Sequence, residues 1–232
     1  MTPVLERSFL LARLSLQFSR VERVTRHEDG VRPETDTDHS FMLAFIACDL
    51  APGHLDRPLL ATFATVHDFP EVVAGDTQTL STLSLEQREN KERREAAARE
   101  WLASELGPDS WLCKMIARYE AQIEPEARFI RLLDKVLPKL THALNACVAA
   151  KSLVTYDEFV AAHREQYTDL IRKYPEFPET LVLLRESMDH SEACWPCDVC
   201  GEAAEMHVNG KMPGEVVKGS GVSSCEIYRE TP

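Results

Sequence analysis

Apolar residues recur at helical spacing along almost the whole chain, and this feature limits its fold more than any other. In "VLERSFLLARLSLQF" near the start and "RFIRLLDKVLPKLTHAL" past the middle, apolar side chains return every three or four positions. The alternating pattern of a half-buried strand is scarce, and Val, Ile and Thr seldom cluster. The sequence therefore predicts an all-α protein, a bundle of helices around one core.

Capping residues, glycine and proline divide this pattern into separate helices. The first helix is predicted over residues 3–18, and a loop containing "RHEDGVRPETDTD" follows it. Asp38 is expected to cap the next helix, "HSFMLAFIACDLA", which is apolar on most sides and is therefore expected to be buried. A later helix should begin near Pro125, continue to about Leu153 and kink at Pro138.

The composition changes after Ala193, because five of the nine glycines and four of the seven cysteines lie beyond it. We therefore predict a helical domain over 1–193 and a small irregular, Cys-rich tail over 194–232. Within the tail, a CxxC pair and two later residues have the spacing of a structural zinc site: Cys197, Cys200, His207 and Cys225. The alternative is a flexible tail with reduced thiols.

The formal net charge of -12 argues against an extended electrostatic contact with nucleic acid. It also means that an anionic substrate needs local help from a metal ion or an arginine. No apolar run is long enough to span a membrane, so we expect no membrane contact and a cytoplasmic location.

Polar residues interrupt the apolar helices at four places. His39 opens the second helix, His67 and Asp68 close the third, and Asp134 stands inside the apolar stretch "RFIRLLDKVLPKL". A buried carboxylate is costly without a compensating charge, and one divalent cation where these helices meet would compensate the whole set. Two imidazoles and two carboxylates suit a transition metal such as Co, Mn, Zn or Fe.

Each of these residues also has an ordinary structural interpretation. His39 and Asp68 could cap helices, and Asp134 could pair with Arg131 or Lys135. Taken one at a time, these residues favour that interpretation. As an ordered set on helices, they favour a metal site.

Three stretches resemble the HD-domain metal-dependent phosphohydrolases, and most closely their bacterial 5'-deoxynucleotidase branch and related phage and actinobacterial HD proteins. The stretches are "ETDTDHSFMLA", "HDFPEVVAGDTQT" and "RFIRLLDKVLPKLTH", and the likeness extends from about Arg20 to Asn145. The resemblance implies an HD-type helical bundle, a homodimer, and one divalent ion bound by the H…HD…D set of the family, here His39, His67, Asp68 and Asp134.

The resemblance also implies catalytic roles. Glu71 matches the glutamate that orients or deprotonates the attacking water, and Asp76 matches a second acid near the phosphate and sugar. Arg20 matches the arginine that reaches the phosphate, with Arg23 as the neighbouring alternative. Pro70 interrupts a continuous helix through Glu71, so a new helix is expected to begin there.

The expected reaction is hydrolysis of 2'-deoxynucleoside 5'-monophosphates to a deoxynucleoside and phosphate. One alternative is a triphosphohydrolase acting on a dNTP such as dATP, which would need further cations from Lys91, Arg93 and Arg94. Another is a non-catalytic nucleotide-sensing adaptor. Glu71 and Asp76 argue against the adaptor, because a sensor has no need to activate water.

Overall fold

The computed structural model describes residues 2–76 and 85–195. Within these ranges the chain is helical apart from one two-stranded hairpin, so the all-α prediction is confirmed. The elements follow in chain order: α1 (Pro3–Phe18), β1 (Glu22–Arg26), β2 (Pro33–Thr35), α2 (Asp36–Leu50), α3 (Arg57–Val66), α4 (Glu71–Ala74), α5 (Leu85–Leu106), α6 (Trp111–Ala121), α7 (Pro125–Leu144), α8 (Val148–Lys151), α9 (Tyr156–Lys173) and α10 (Pro178–Cys194).

The hairpin occupies the stretch that was predicted to be a loop. Strands β1 and β2 pair antiparallel, and the Asp29 side chain closes the turn by accepting the backbone N–H groups of Val31 and Arg32 at 2.8 and 2.9 Å. Gly30 adopts a φ of 69°, which glycine reaches without strain. The strands are too short for the alternating pattern to be visible in the sequence, but they set the approach to α2.

Helix α2 is capped by Thr35 and not, as predicted, by Asp38. The Thr35 hydroxyl accepts the N–H of Asp38 at 3.2 Å, and the Asp38 carboxylate accepts the N–H of Thr35 at 3.0 Å. This reciprocal capping box starts the helix at Asp36, so His39 lies in its first turn with its position fixed by the cap.

The predicted long helix ends earlier than expected, at Leu144. Ala146 and Cys147 have positive φ angles of 54° and 59°, which break the helical backbone and separate α8 from α7. Pro138 lies inside α7, as the sequence indicated.

Helix α7 lies at the centre of the main core. Its apolar face packs with α2, α3 and α10, and the core includes fully buried residues from each of them: Leu43, Phe63, Leu133, Leu137, Leu184 and Met188. Fully burying one leucine side chain contributes about 1.5–3 kcal/mol, so this face holds α7 firmly in place. Asp134 is carried on the same helix.

A second apolar cluster joins α1, α5 and α6 and includes Val66 and Phe69. These two residues flank the His67-Asp68 pair in the chain, and both are buried. The polar pair therefore lies between two packed cores, which fixes its backbone. No helix in the described part of the chain is both long enough and apolar enough to cross a membrane.

Candidate metal centre

Three helices bring the four predicted metal ligands together. The first turn of α2 supplies His39, the residues after α3 supply His67 and Asp68, and the middle of α7 supplies Asp134. One ligand atom from each side chain lies within 4.8 Å of all the others. His39, His67 and Asp134 are almost fully buried, and Asp68 is partly exposed.

The contacts of His67 define which of its ring nitrogens carries a proton. Nδ1 lies 2.8 Å from the carbonyl oxygen of Ala64, and because a carbonyl only accepts, Nδ1 must be the donor. The buried Nε2 has no hydrogen-bond partner among the described residues. It faces Asp68 Oδ2 at 2.9 Å and Asp134 Oδ1 at 3.7 Å. A ring nitrogen this close to two carboxylates is stabilised by positive charge, either a second ring proton or a metal ion.

His39 has the same arrangement with a different orienting group. Its Nδ1 lies 2.8 Å from Glu34 Oε1, and its Nε2 lies 2.8 Å from Asp134 Oδ1. The other oxygen of Asp134 accepts a hydrogen bond from Lys135 Nζ at 2.7 Å. Both imidazoles therefore direct Nε2 towards the same carboxylate.

The pKa values reflect the negative charge that is concentrated in the cluster. Burial lowers the pKa of His67, but the Asp68 charge and the contacts with Asp134 outweigh burial and raise it to about 10. The pKa of Asp134 is held well below its usual range by Lys135 and the histidines, although burial opposes this. A divalent ion could replace the protons that the two rings otherwise retain.

A second acidic group adjoins the first and shares Asp68 with it. It consists of Asp36, Asp68 and Glu71, whose oxygens lie within 4.8 Å of one another. Arg23 lies beside this group: its Nη1 donates to Asp36 Oδ1 at 2.9 Å and to Asp68 Oδ2 at 2.7 Å. The guanidinium thus neutralises part of the acidic group beside the predicted metal site.

Glu71 is the least compensated acid in this group. Burial, and then the charges of Asp68 and Asp36, raise its pKa to about 10. Burial and the charge of Asp68 also raise the pKa of Asp36 to about 6, against the opposing effect of Arg23. The charge of Asp76 contributes to both of these shifts, so Asp76 lies on the same side of the molecule.

The two candidate arginines occupy different positions. Arg20 is exposed after α1, and within the described residues its side chain makes no hydrogen bond or ion pair. Arg23, the alternative, is the one that contacts the acids. Glu34 and Asp36 also contact the site; they were not predicted as site residues because they precede the ligand motif in a stretch predicted to be a loop.

The tail residues Cys197, Cys200, His207 and Cys225 lie outside the described residues.

In the charged helix α5, Arg94 donates to the backbone carbonyls of Ala74 and Gly75, at the end of α4. Helix α5 therefore packs next to the segment that carries Glu71, with Lys91 paired to Glu95 at 3.5 Å.

Comparison with known proteins gives a family match to the HD domain over residues 17–174. The 5'-deoxynucleotidase HDDC2 of Bos taurus is 32% identical over 144 residues, which cover 58% of this chain and 69% of that protein. The 5'-deoxynucleotidase HDDC2 of Homo sapiens is 31% identical over 134 residues, covering 53% of this chain and 64% of that protein.

A solved structure shows the same fold. It belongs to a protein of Magnetospirillum magnetotacticum MS-1 described as a predicted metal-dependent phosphohydrolase. The two structures match with a TM-score of 0.60 at 22% sequence identity, over 81% of this chain and 94% of the other.

Proposed function

The chain belongs to the HD domain family, and from that premise we propose that it hydrolyses 2'-deoxynucleoside 5'-monophosphates to a deoxynucleoside and phosphate. The reaction would use one divalent transition metal ion, Co, Mn, Zn or Fe. Its proposed ligands are the four clustered side chains His39, His67, Asp68 and Asp134.

The observation that carries this proposal is the orphaned Nε2 of His67. Its Nδ1–H is committed to Ala64, and its buried Nε2 lies 2.9 Å from Asp68 Oδ2 and 3.7 Å from Asp134 Oδ1 without a hydrogen-bond partner among the described residues, so a metal ion could take the place of a second ring proton there. A mixed His and carboxylate set suits a transition metal with open positions for water and substrate. When bound, such an ion supplies Lewis acidity, which lowers the pKa of a water molecule and polarises a phosphoryl oxygen.

Glu71 is proposed to accept the proton of the attacking water. Its side chain is almost fully buried next to Asp68, and one of its oxygens has no partner among the described residues. Its raised pKa comes from burial and from neighbouring negative charge. Added positive charge at the four-ligand cluster would favour the ionised form of Glu71, which is the form that a general base requires.

Arg23, rather than Arg20, is proposed to contact the phosphate. Its guanidinium already lies 2.7 Å from Asp68, next to the proposed metal, and only 15% of its side chain is exposed. It can therefore compensate charge on the phosphoryl oxygens without having to move far. Asp76, on the same side, is proposed to meet the leaving group or the sugar.

The substrate class is supported by two arguments. The relatives named 5'-deoxynucleotidase indicate a deoxynucleotide, and the cations that contact the cluster among the described residues, Arg23 and Lys135, are both paired with its acids, which suits a substrate with a single phosphoryl group. We also propose a homodimer, because Phe41 and Phe45 stack at 6.2 Å on α2 with 73% and 72% of their surfaces exposed. The CxxC spacing in the tail supports one structural zinc.

Product analysis tests the reaction. Purified protein loaded in turn with Co, Mn, Zn or Fe is incubated with dNMPs, NMPs and dNTPs, and phosphate and tripolyphosphate are measured separately. We expect phosphate from dNMPs. Release of tripolyphosphate from a dNTP, together with no release of phosphate from dNMPs, would establish the triphosphohydrolase alternative. Arg94 beside α4 would then be the first residue to examine. Nucleotide binding without turnover under every metal would indicate the adaptor.

A further inference from the structure

Glu34 on strand β2 is buried beside the metal centre, outside the acid group that surrounds Arg23. Glu34 is only 3% exposed, although burying a carboxylate in an apolar environment is unfavourable. Its Oε1 lies 2.8 Å from His39 Nδ1. The other oxygen, Oε2, is buried and has no hydrogen-bond partner among the described residues. His39 provides the main compensation for burying this carboxylate, with smaller contributions from Thr25 and the charge of Arg23.

We propose that Glu34 is a positioning residue of the metal centre. It holds the Nδ1–H of His39, which fixes the tautomer and the plane of the ring, so that Nε2 directs its lone pair towards the ion. This inference rests on the proposed function, because it requires His39 to be a ligand. Carboxylate partners of this kind orient metal-bound histidines and increase their basicity.

The second histidine of the site shows that Glu34 is not interchangeable with a generic acceptor. His67 Nδ1 donates to a backbone carbonyl, that of Ala64 in the last turn of α3, where helix carbonyls have no intrahelical partner. That acceptor is supplied by the helix itself and needs no particular side chain. His39 lies in the first turn of α2, where the backbone carbonyls, that of Asp36 included, accept intrahelical N–H groups and are not free for the ring. The orienting acceptor therefore has to come from another element, and β2 supplies it.

This assignment also gives the short hairpin a function. Thr35 caps α2 and Glu34 orients His39, so adjacent residues at the end of β2 fix the backbone and the side chain of the same ligand. A one-residue change in the register of β2 would turn Glu34 away from the site, because neighbouring strand residues face opposite sides.

A cobalt titration of the full chain tests the proposal without any substrate. Co²⁺ is added to apoprotein and its binding is followed by visible absorption, for wild type, Glu34→Gln, Glu34→Ala and His39→Ala. We expect Glu34→Ala to weaken Co²⁺ binding by about 10- to 100-fold, as for other outer carboxylate partners of metal-bound histidines. Glu34→Gln keeps an acceptor oxygen without the charge, so it should fall between Glu34→Ala and wild type. Thermal midpoints of the apoproteins are measured alongside.

The matched control is Glu192→Gln. Glu192 Oε1 lies 2.9 Å from the Nδ1 of His163, a buried histidine that is no part of the metal centre. This variant makes the same change to the same type of contact as Glu34→Gln and should leave Co²⁺ affinity unchanged. The idea is overturned if both Glu34 variants bind Co²⁺ like wild type, even with a lowered thermal midpoint, or if Glu192→Gln weakens binding equally. Should Glu34→Ala fail to fold, the Glu34→Gln result decides. Wild-type binding by His39→Ala would instead refute the proposed ligand set.

Discussion

Two regions of the molecule each bury a pair of histidines, and the pKa values of the imidazole rings are shifted in opposite directions in the two regions. In the metal centre the pKa of His67 is raised to about 10. In a second region, here called the distal pair, the pKa of His142 is lowered to about 4 and that of His163 to about 3. His39, in the metal centre, is as deeply buried as His142, at 1% exposure each.

The difference comes from the charges around the rings. Burial lowers the pKa of every one of these histidines. In the distal pair the cation of Lys139 lowers it further, and Phe159 packs against both rings at centroid distances of 5.8 and 4.1 Å. Carboxylates converge only in the metal centre, since neither distal histidine belongs to a metal-compatible group of described residues. Converging acids, and not burial, distinguish a candidate ligand from a core histidine.

The largest expected effect separates the two regions by metal content. We expect His67→Ala and Asp68→Ala to lose the bound ion and to reduce dNMP hydrolysis to the detection limit, because the set then lacks a ligand. His163→Ala should keep the ion and the activity. Metal analysis after chelation and add-back measures this. An Asp68→Ala protein with full activity would contradict the proposed ligand set.

The next effect concerns two glutamates whose pKa values are both raised by burial, Glu71 and Glu192. Glu71→Gln should lower turnover by about 10²- to 10⁴-fold, as expected for a lost general base, while metal and substrate affinity remain. Glu192→Gln, which alters a contact with His163 of the distal pair, should not change turnover. Steady-state kinetics and metal content distinguish the outcomes, and a Glu71→Gln protein that loses its ion would make Glu71 a ligand.

Changing the arginines tests which one serves the metal centre. Arg23→Ala should lower kcat/KM by about 10- to 100-fold through the loss of a charge-assisted hydrogen bond to phosphate. It should also destabilise the fold, because Asp36 is left buried without its partner. Arg20→Ala should have little effect on either quantity. The reverse result would restore Arg20 as the phosphate residue.

The smallest expected effect lies in the distal pair and depends on pH. The folded-state pKa of His142 is about 4, below the value of about 6.5 for an unfolded histidine. Between these values the unfolded chain binds more protons, so His142 contributes stability at neutral pH that is lost as the pH falls from about 6.5 towards 4.

Denaturant unfolding at several pH values checks this. His142→Phe, which keeps an aromatic ring against Phe159, should flatten the decline in stability between pH 6.5 and 4 without changing metal content. An unchanged pH profile in this variant would mean that His142 does not carry the acid sensitivity.

Some elements were predictable from the sequence because the causes are local. The periodicity of "RFIRLLDKVLPKLTHAL" predicts the α7 helix, and the HD resemblance is confirmed by the family match. The β hairpin and the break after Leu144 were not predicted. Strands of five and three residues are too short to show an alternating pattern, and the left-handed Cys147 follows a helical sequence that gives no warning of it.

The sequence by itself determined the helical class, the order of the four candidate ligands and their places at helix ends or on a buried helix. These follow from residue type and spacing along one chain. Only the tertiary structure placed Arg23, and not Arg20, against the acids, placed Glu34 behind His39, and gave the two histidine pairs opposite pKa shifts. The reason is physical: His39 and Asp134 lie 2.8 Å apart across 95 positions of the chain. Which charges surround a buried ring therefore depends on how the helices pack, not on its neighbours in the chain.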